Sequence, residues 1–494
     1  MSITKLLIAN RGEITIRIAR AAAELGIATV AVFSEDDARS LHVRRTDKSR
    51  ALRGAGAAAY LDIEQLIAAA KAEGCDAVHP GYGFLSENAR FARRCAEEGI
   101  VFIGPAPDIL QLFGDKAQAR ALAERHDVPV ARGIDRPVTL EEAQAFLASL
   151  GEHGAMMIKA IAGDGGRGMR SVQRADDVAD TYARCRAEAQ AAFGNADVYV
   201  EQLVRHARHI EVQIVGDGSG HVSHVWEREC TLQHRHRKLV EIAPSPTLDH
   251  ALRARIIDAS VRLAKAMRYS SLGTFEFLVE GSDHVPDAHF YFMEANPCLQ
   301  VEHTVTEEVT GIDLVKAQIQ LADGHTLEQL GLTQHEIPAP RGFALQVRIN
   351  METIDDQGNA QPAGGTLRAF EPPSGPGIRV DSFGYGGYMP SPHFDSLLAK
   401  MIASTTSGRF PDLVARAYRA LCEFRVEGIN TNIGFLQNLL TRPDVIANRV
   451  HTDFIEGHLA ALIEPEGGAH PKLYALPAEA DSASCVPGNG TRAD

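Results

Sequence analysis

The chain opens with a short apolar run, KLLIAN (5–10). The next apolar residues recur at helical spacing through ITIRIARAAAELG (14–26), which stops at a glycine. A second strand-type run, ATVAVFS (28–34), a second helix, LDIEQLIAAAKAEG (61–74), and a further strand, DAVHPG (76–81), continue the alternation. Strand–helix–strand order predicts a doubly wound parallel sheet with function at its strand ends. The first turn reads NRGE rather than G-x-G-x-x-G, so no dinucleotide site is assigned there. From residue 114 the spacing is helical (GDKAQARALAERHDVPV), and helices then alternate with short strands to residue 330. Further on, FALQVRI (343–349) and LLAKMIA (397–403) read as strands and DLVARAYRALCEF (412–424) as a helix. After His458 the residues become rich in Pro, Gly, Ala and Ser, which predicts a flexible tail. No internal repeat is visible.

Composition narrows the class. A chain of 494 residues exceeds one hydrophobic core, and ~100–200 residues per domain implies about three. The net charge of −14, without a long basic run, argues against a nucleic-acid partner. No stretch approaches the ~18 apolar residues of a membrane span, and MSITKLLIANRGE meets charge too early for a secretory signal. Seven scattered cysteines without a C-x-x-C pair argue against a disulfide framework or structural zinc. A cytoplasmic protein is expected.

An acidic chain that handles phosphates must concentrate cations locally. GTFEFLVE (273–280) and FYFMEAN (290–296) predict a hairpin centred near residue 285, with Glu276 opposite Glu294 and with Leu278 and Asn296 on the same face. Cross-strand Cβ atoms lie ~4.5–5.5 Å apart, so two carboxylates there repel unless a cation lies between them. Oxygen ligands suit Mg²⁺. The alternative is a solvated pair on an outer face; the neighbours Phe275, Phe277, Phe292 and Met293 argue for burial.

The loop AGDGGRGM (162–169) follows the strand-type MMIKAI and carries Gly163, Gly165, Gly166 and Gly168, which let backbone N–H groups approach phosphate oxygens. Lys159 lies on the strand feeding it, and Lys116 follows Gly114 and Asp115 at a helix start. A plain tight turn and a surface lysine are the competing readings. QHRHRKLVE (233–241), if extended, sets Gln233, Arg235, Arg237 and Leu239 on one face and His234, His236, Lys238 and Val240 on the other, a candidate anion site.

These segments together resemble the biotin carboxylases of the ATP-grasp superfamily. The matching runs are IANRGEI (8–14), HPGYGFLSENA (79–89), FIGP (102–105), GDKA (114–117), GGRGM (165–169), RHIEVQ (208–213) and KLVEIAPSP (238–246). They continue through TFEF (274–277), LQVEHTVTE (299–307), FDSLLAK (394–400) and GINTNIGFL (428–436), in family order. The resemblance implies a fold of α/β and α+β class. A doubly wound N-terminal domain (1–112) precedes an ATP-grasp core (113–330) with a mobile lid (131–203), a mixed C-terminal domain (331–457) and a flexible tail (458–494).

It also implies ATP-dependent carboxylation of biotin by bicarbonate through carboxyphosphate. By similarity, Glu276, Glu294 and Asn296 hold Mg²⁺ or Mn²⁺, and Lys116, Lys159, Gly165 and Gly166 bind ATP phosphates. Glu201, Gln202, Leu203 and Val204 line the adenine. His209, Gln233, His236 and Leu278 complete the nucleotide site. Lys238, Gln300 and Val301 hold bicarbonate, Glu302 removes its proton, and Arg348 stabilises the biotin enolate. No M-K-M-type biotinylation sequence is present, so biotin is expected on a separate carrier protein. A carboxyltransferase subunit and a second copy of the chain, forming a homodimer, are the other expected partners. The final acceptor is an acyl-CoA, pyruvate or urea, with an acyl-CoA carboxylase the first expectation.

Cys298, in EANPCLQVEHTVTE (294–307), departs from the pattern: the family carries a catalytic, bicarbonate-binding arginine at this place. Arginine offers a permanent charge in a planar fork; a neutral thiol offers a weak donor. Compensation by Arg235 or Arg237 and a catalytically impaired ATP-binding regulatory or scaffold subunit both stand as alternatives. A nucleophilic Cys298 has no identifiable base. Asp164, in a loop that usually has glycine there, is a second departure. Another ATP-grasp ligase, such as a carbamoyl-phosphate synthase, fits VEHTVTE and FDSLLAK less well.

Overall fold

The computed structural model describes residues 2–134, 136–152, 154–161, 168–281, 288–464 and 470–474. Its first layer is a five-stranded parallel sheet in the order Lys48–Ala51, Ala28–Phe33, Lys5–Ile8, Ala77–His79, Val101–Phe102. The central strand is apolar because both faces are covered, and Leu6, Leu7 and Ile8 are fully buried. Helices Ile63–Glu73 and Ala89–Glu97 begin where Asp62 and Asn88 accept the backbone N–H of Gln65 and Phe91, as N-caps do. After the strand Ala77–His79, the Asn10 amide donates to the carbonyls of Pro80 (2.6 Å) and Tyr82 (2.8 Å). Gly81 is required there: φ is +67°, and a Cβ would lie 2.8 Å from the Asn10 nitrogen.

A separate four-stranded antiparallel sheet follows, ordered Gly133–Ile134, Val198–Gln202, Met156–Ala160, Met169–Val172. Helices Leu140–Ser149 and Val178–Phe193 pack on it, and Met156, Ile158, Val178 and Val200 give it a core of its own. Gly165, Gly166 and Asp164, in the loop between two of its strands, lie outside the described residues.

The third layer is an eight-stranded antiparallel sheet: Phe290–Asn296, Ser270–Val279, Arg208–Asp217, Val222–His234, Arg237–Ala243, Phe343–Asn350, Leu397–Thr405, Ile378–Ser382. It runs unbroken across the join expected near residue 330, because Arg237–Ala243 pairs with Phe343–Asn350. Along Arg208–Asp217, Ile210, Val212 and Ile214 face the helix His250–Ala266, in one core with Leu252, Ile256 and Leu263. The alternate residues His209, Glu211 and Gln213 point to the other face.

Two expectations change. QHRHRKLVE is not one extended run: Arg235 and His236 take φ of 49° and 64° and form a two-residue hairpin turn. Gln233 and Lys238 thereby become cross-strand partners on one face instead of lying on opposite faces. The tail expected from residue 458 starts inside the fold, as the helix Leu459–Ile463 with Leu462 buried. Leu473 N–H also donates to the Cys422 carbonyl at 2.9 Å. Residues 475–494 lie outside the described residues.

Candidate active site

The polar face of the large sheet, the four-stranded sheet and the N-terminal layer enclose a cleft of about 1940 Å³. The hairpin register is as the alternation predicts: Glu276 pairs with Glu294, and a bulge then shifts the register so that Phe277 pairs with Phe292. Glu276 is 2% exposed and Glu294 half-buried, so the acids are not a solvated outer pair. The Asn296 amide donates to Glu276 at 2.7 Å, and Lys116 Nζ lies 3.7 Å from Glu294.

Lys238 organises the centre. Its Nζ donates to Glu211 (2.6 Å), Glu276 (2.9 Å) and Glu302 (2.6 Å). The other Glu302 oxygen accepts from Arg348 at 3.0 Å, and Arg348 also binds Glu241. Lys159 pairs with Glu201 across the smaller sheet, and Gln233 bridges to His209 Nδ1 at 2.8 Å. Glu201, Gln202, Leu203, Val204, His209, Gln233, His236 and Leu278 line the cleft, as do Gln300 and Val301.

Burial by itself would raise the carboxyls of Glu211 and Glu276. Lys238 overcomes it, with Arg228 acting on Glu211 and His209 on Glu276, and brings both down from 4.5 to about 2. Burial would likewise lower Lys238, yet the acids around it hold it well above the ordinary lysine value. Burial raises Glu241 despite Arg348. A carboxyl with a depressed folded value contributes stability above its unfolded value, and that contribution is lost as the pH falls through the folded one. The expected result is a thermal midpoint that falls as the pH is lowered from 4.5 towards about 2, measured by calorimetry. A Glu276→Gln variant is expected to show a shallower fall.

Cys298 behaves differently from the other expected site residues. It is 4% exposed and does not line the cleft. Its thiol donates to Glu87 at 3.0 Å and accepts from the Gln300 amide at 3.1 Å. Burial, with the Glu87 charge beside it, pushes this thiol well above its ordinary value and keeps it neutral. Arg235 is tied to Asn359 and the Gln357 carbonyl, and Arg237 to Glu352, and both arginines line the cleft.

Three family models cover most of the chain: "Biotin carboxylase, N-terminal domain" at 2–110, "Carbamoyl-phosphate synthase L chain, ATP binding domain" at 115–330, and "Biotin carboxylase C-terminal domain" at 346–457. The biotin carboxylase domain of a single-chain bacterial carboxylase is 47% identical, with a TM-score of 0.83 over 93% of this chain and 98% of that one. This chain belongs to the biotin carboxylase family. The biotin carboxylase domain of the Hydrogenobacter thermophilus 2-oxoglutarate carboxylase, solved as a dimer with MgADP, ADP and bicarbonate, is 37% identical with a TM-score of 0.87. It aligns over 94% of this chain and 100% of its own. Human mitochondrial pyruvate carboxylase is 47% identical over 461 residues, 92% of this chain and 38% of the relative. The chain thus spans about two fifths of the length of the curated relatives it matches.

Several buried residues that support this cleft from behind escaped the sequence reading. Glu211 is one, although RHIEVQ shows it alternating with apolar residues between His209 and Gln213. Arg228, fully buried, binds Glu211, Gln213, Thr274 and Thr306 and so fixes the acid beneath Lys238. Lys400, 0% exposed, donates to the Val301 carbonyl at 3.1 Å and pairs with Glu13 at 3.0 Å; Tyr82 also binds Glu13. The FDSLLAK run contained Lys400 without marking its role, because its partners lie in distant segments.

Proposed function

We propose that the chain performs the first half-reaction of a biotin-dependent carboxylase. ATP phosphorylates bicarbonate, and the carboxyphosphate formed supplies the carboxyl group to N1′ of biotin on a carrier protein. The observation that carries this reading is Glu302, whose two oxygens separately meet Lys238 and Arg348 on the cleft wall beside Glu276. A carboxylate so placed serves as the base for bicarbonate. Lys238 supplies charge for the anion, with Gln300 and the Val301 backbone around it, and Arg348 faces the developing biotin enolate.

Lys116 and Lys159, with Gly165 and Gly166, would bind the ATP phosphates. Glu201 to Val204, His209, Gln233, His236 and Leu278 would surround the rest of the nucleotide. Glu276, Glu294 and Asn296 form an all-oxygen donor set that fits Mg²⁺ or Mn²⁺, and the bound ion would offset charge on the transferred phosphoryl group. The sheet over 133–202 is the proposed lid, within the domain limits expected above.

Carrier protein, carboxyltransferase, homodimer and cytoplasmic location belong to the same proposal. Among the described residues no helix is long and apolar enough to cross a membrane. Two of the relatives named above are a 2-oxoglutarate carboxylase and a pyruvate carboxylase, so pyruvate is the acceptor to test beside acetyl-CoA and propionyl-CoA. Apart from the departures at Cys298 and Asp164, no observation favours the impaired-subunit alternative.

Bicarbonate labelled with ¹⁸O tests the chemistry. Carboxyphosphate formation leaves one bicarbonate oxygen in the released phosphate beside three from ATP; phosphate whose fourth oxygen comes from water would overturn the proposal. Cys298→Arg is expected to raise kcat/KM for bicarbonate by ~10- to 100-fold, the scale of one oriented charged donor. Steady-state ADP release checks this, and an unchanged or lower value would show that the other cations already fill that role.

A further inference from the structure

His206 lies in the connection between the strand Val198–Gln202 of the smaller sheet and Arg208–Asp217 of the large one. His451 and Asp453 come from the opposite end of the chain, just before the short helix Phe454–Gly457. Thr452 N–H donates to the Ala207 carbonyl at 2.8 Å and holds the two segments side by side. The imidazoles of His206 and His451 meet edge to face, with centroids 4.6 Å apart. One donor atom from each of His206, His451 and Asp453 lies within 4.8 Å of the others. Among the described residues neither ring makes a hydrogen bond within the protein, and His451 Nδ1 is buried without a partner. That last feature is costly for a polar atom with no ligand.

We propose that His206, His451 and Asp453 bind a divalent transition-metal ion of the Zn²⁺ class, at a site separate from the oxygen donors Glu276, Glu294 and Asn296. Two imidazole nitrogens and one carboxylate suit Zn²⁺ and its neighbours, while Mg²⁺ favours oxygen. His206 and Asp453 are exposed and line the cleft, so an ion has an entry path. Three protein ligands leave a position for water. A bound ion would tie the segment leaving the smaller sheet to the C-terminal segment.

The test is equilibrium dialysis of the full chain, stripped with chelator, against Zn²⁺ in excess Mg²⁺, with Co²⁺ absorption as the spectroscopic readout. The native protein is expected to take up one Zn²⁺ equivalent, and its Co²⁺ adduct to show ligand-field bands. His206→Ala and His451→Ala are each expected to weaken binding by at least about tenfold, with far-UV circular dichroism unchanged. No Zn²⁺ uptake by the native protein in excess Mg²⁺ would overturn the site. Unchanged uptake by the double histidine variant would overturn it equally.

Discussion

Glu302→Gln is expected to lower bicarbonate-dependent ADP release by ~10²- to 10⁴-fold, the range for loss of a positioned general base. ATP affinity should stay within about twofold, because Glu302 belongs to the acid–cation centre and not to the nucleotide-lining segments. The amide keeps an oxygen for Lys238 or Arg348 but is not a base at neutral pH. Glu302 is fully buried and held at 2.6 Å by Lys238 and 3.0 Å by Arg348, so the variant keeps one of these two contacts and turns its NH2 group towards the other cation. The measurement is steady-state ADP release at saturating ATP beside nucleotide binding by calorimetry. Activity within tenfold of native would remove Glu302 from the role of base.

Lys238→Ala carries the second large effect, on stability as well as rate. Its ammonium is shared by Glu211, Glu276 and Glu302, all three buried. Removing one partner from a buried ionic cluster leaves uncompensated charge and costs about 3–5 kcal/mol. Arg228 still serves Glu211 and Arg348 still serves Glu302, which sets the expectation at the lower end of that range. Denaturant unfolding should show it as a lower midpoint with an unchanged slope. In the proposed reaction the same change removes the charge that faces bicarbonate, so turnover should be lost even where the variant is fully folded. Lys238→Arg keeps the charge and is expected to recover most of the stability.

The hairpin that opposes Glu276 and Glu294 was legible because strict alternation over two short strands fixes both register and face. The first parallel sheet was legible for a related reason: the strand-type runs over 5–10, 28–34 and 76–81 alternate with the helically spaced runs 14–26 and 61–74. The turn at Arg235 and His236 was not, since neither residue is a usual former of such turns. That one missing signal hid the pairing of Gln233 with Lys238. Arg228 and Lys400 were hidden because a charged residue within a strand looks solvated until its partners arrive from distant segments. For Lys400 these are Glu13 and the Val301 carbonyl. The orientation of Cys298 depends on Glu87, more than two hundred positions away, and no local pattern carries it.

The most direct test of the central claim is ADP release by the purified chain with Mg·ATP, bicarbonate and free biotin, each omitted in turn. The account predicts that release requires bicarbonate and is accelerated by biotin, with carboxybiotin formed in step with ADP. Release that is indifferent to both bicarbonate and biotin, or ATP binding without turnover under any of these conditions, would contradict it.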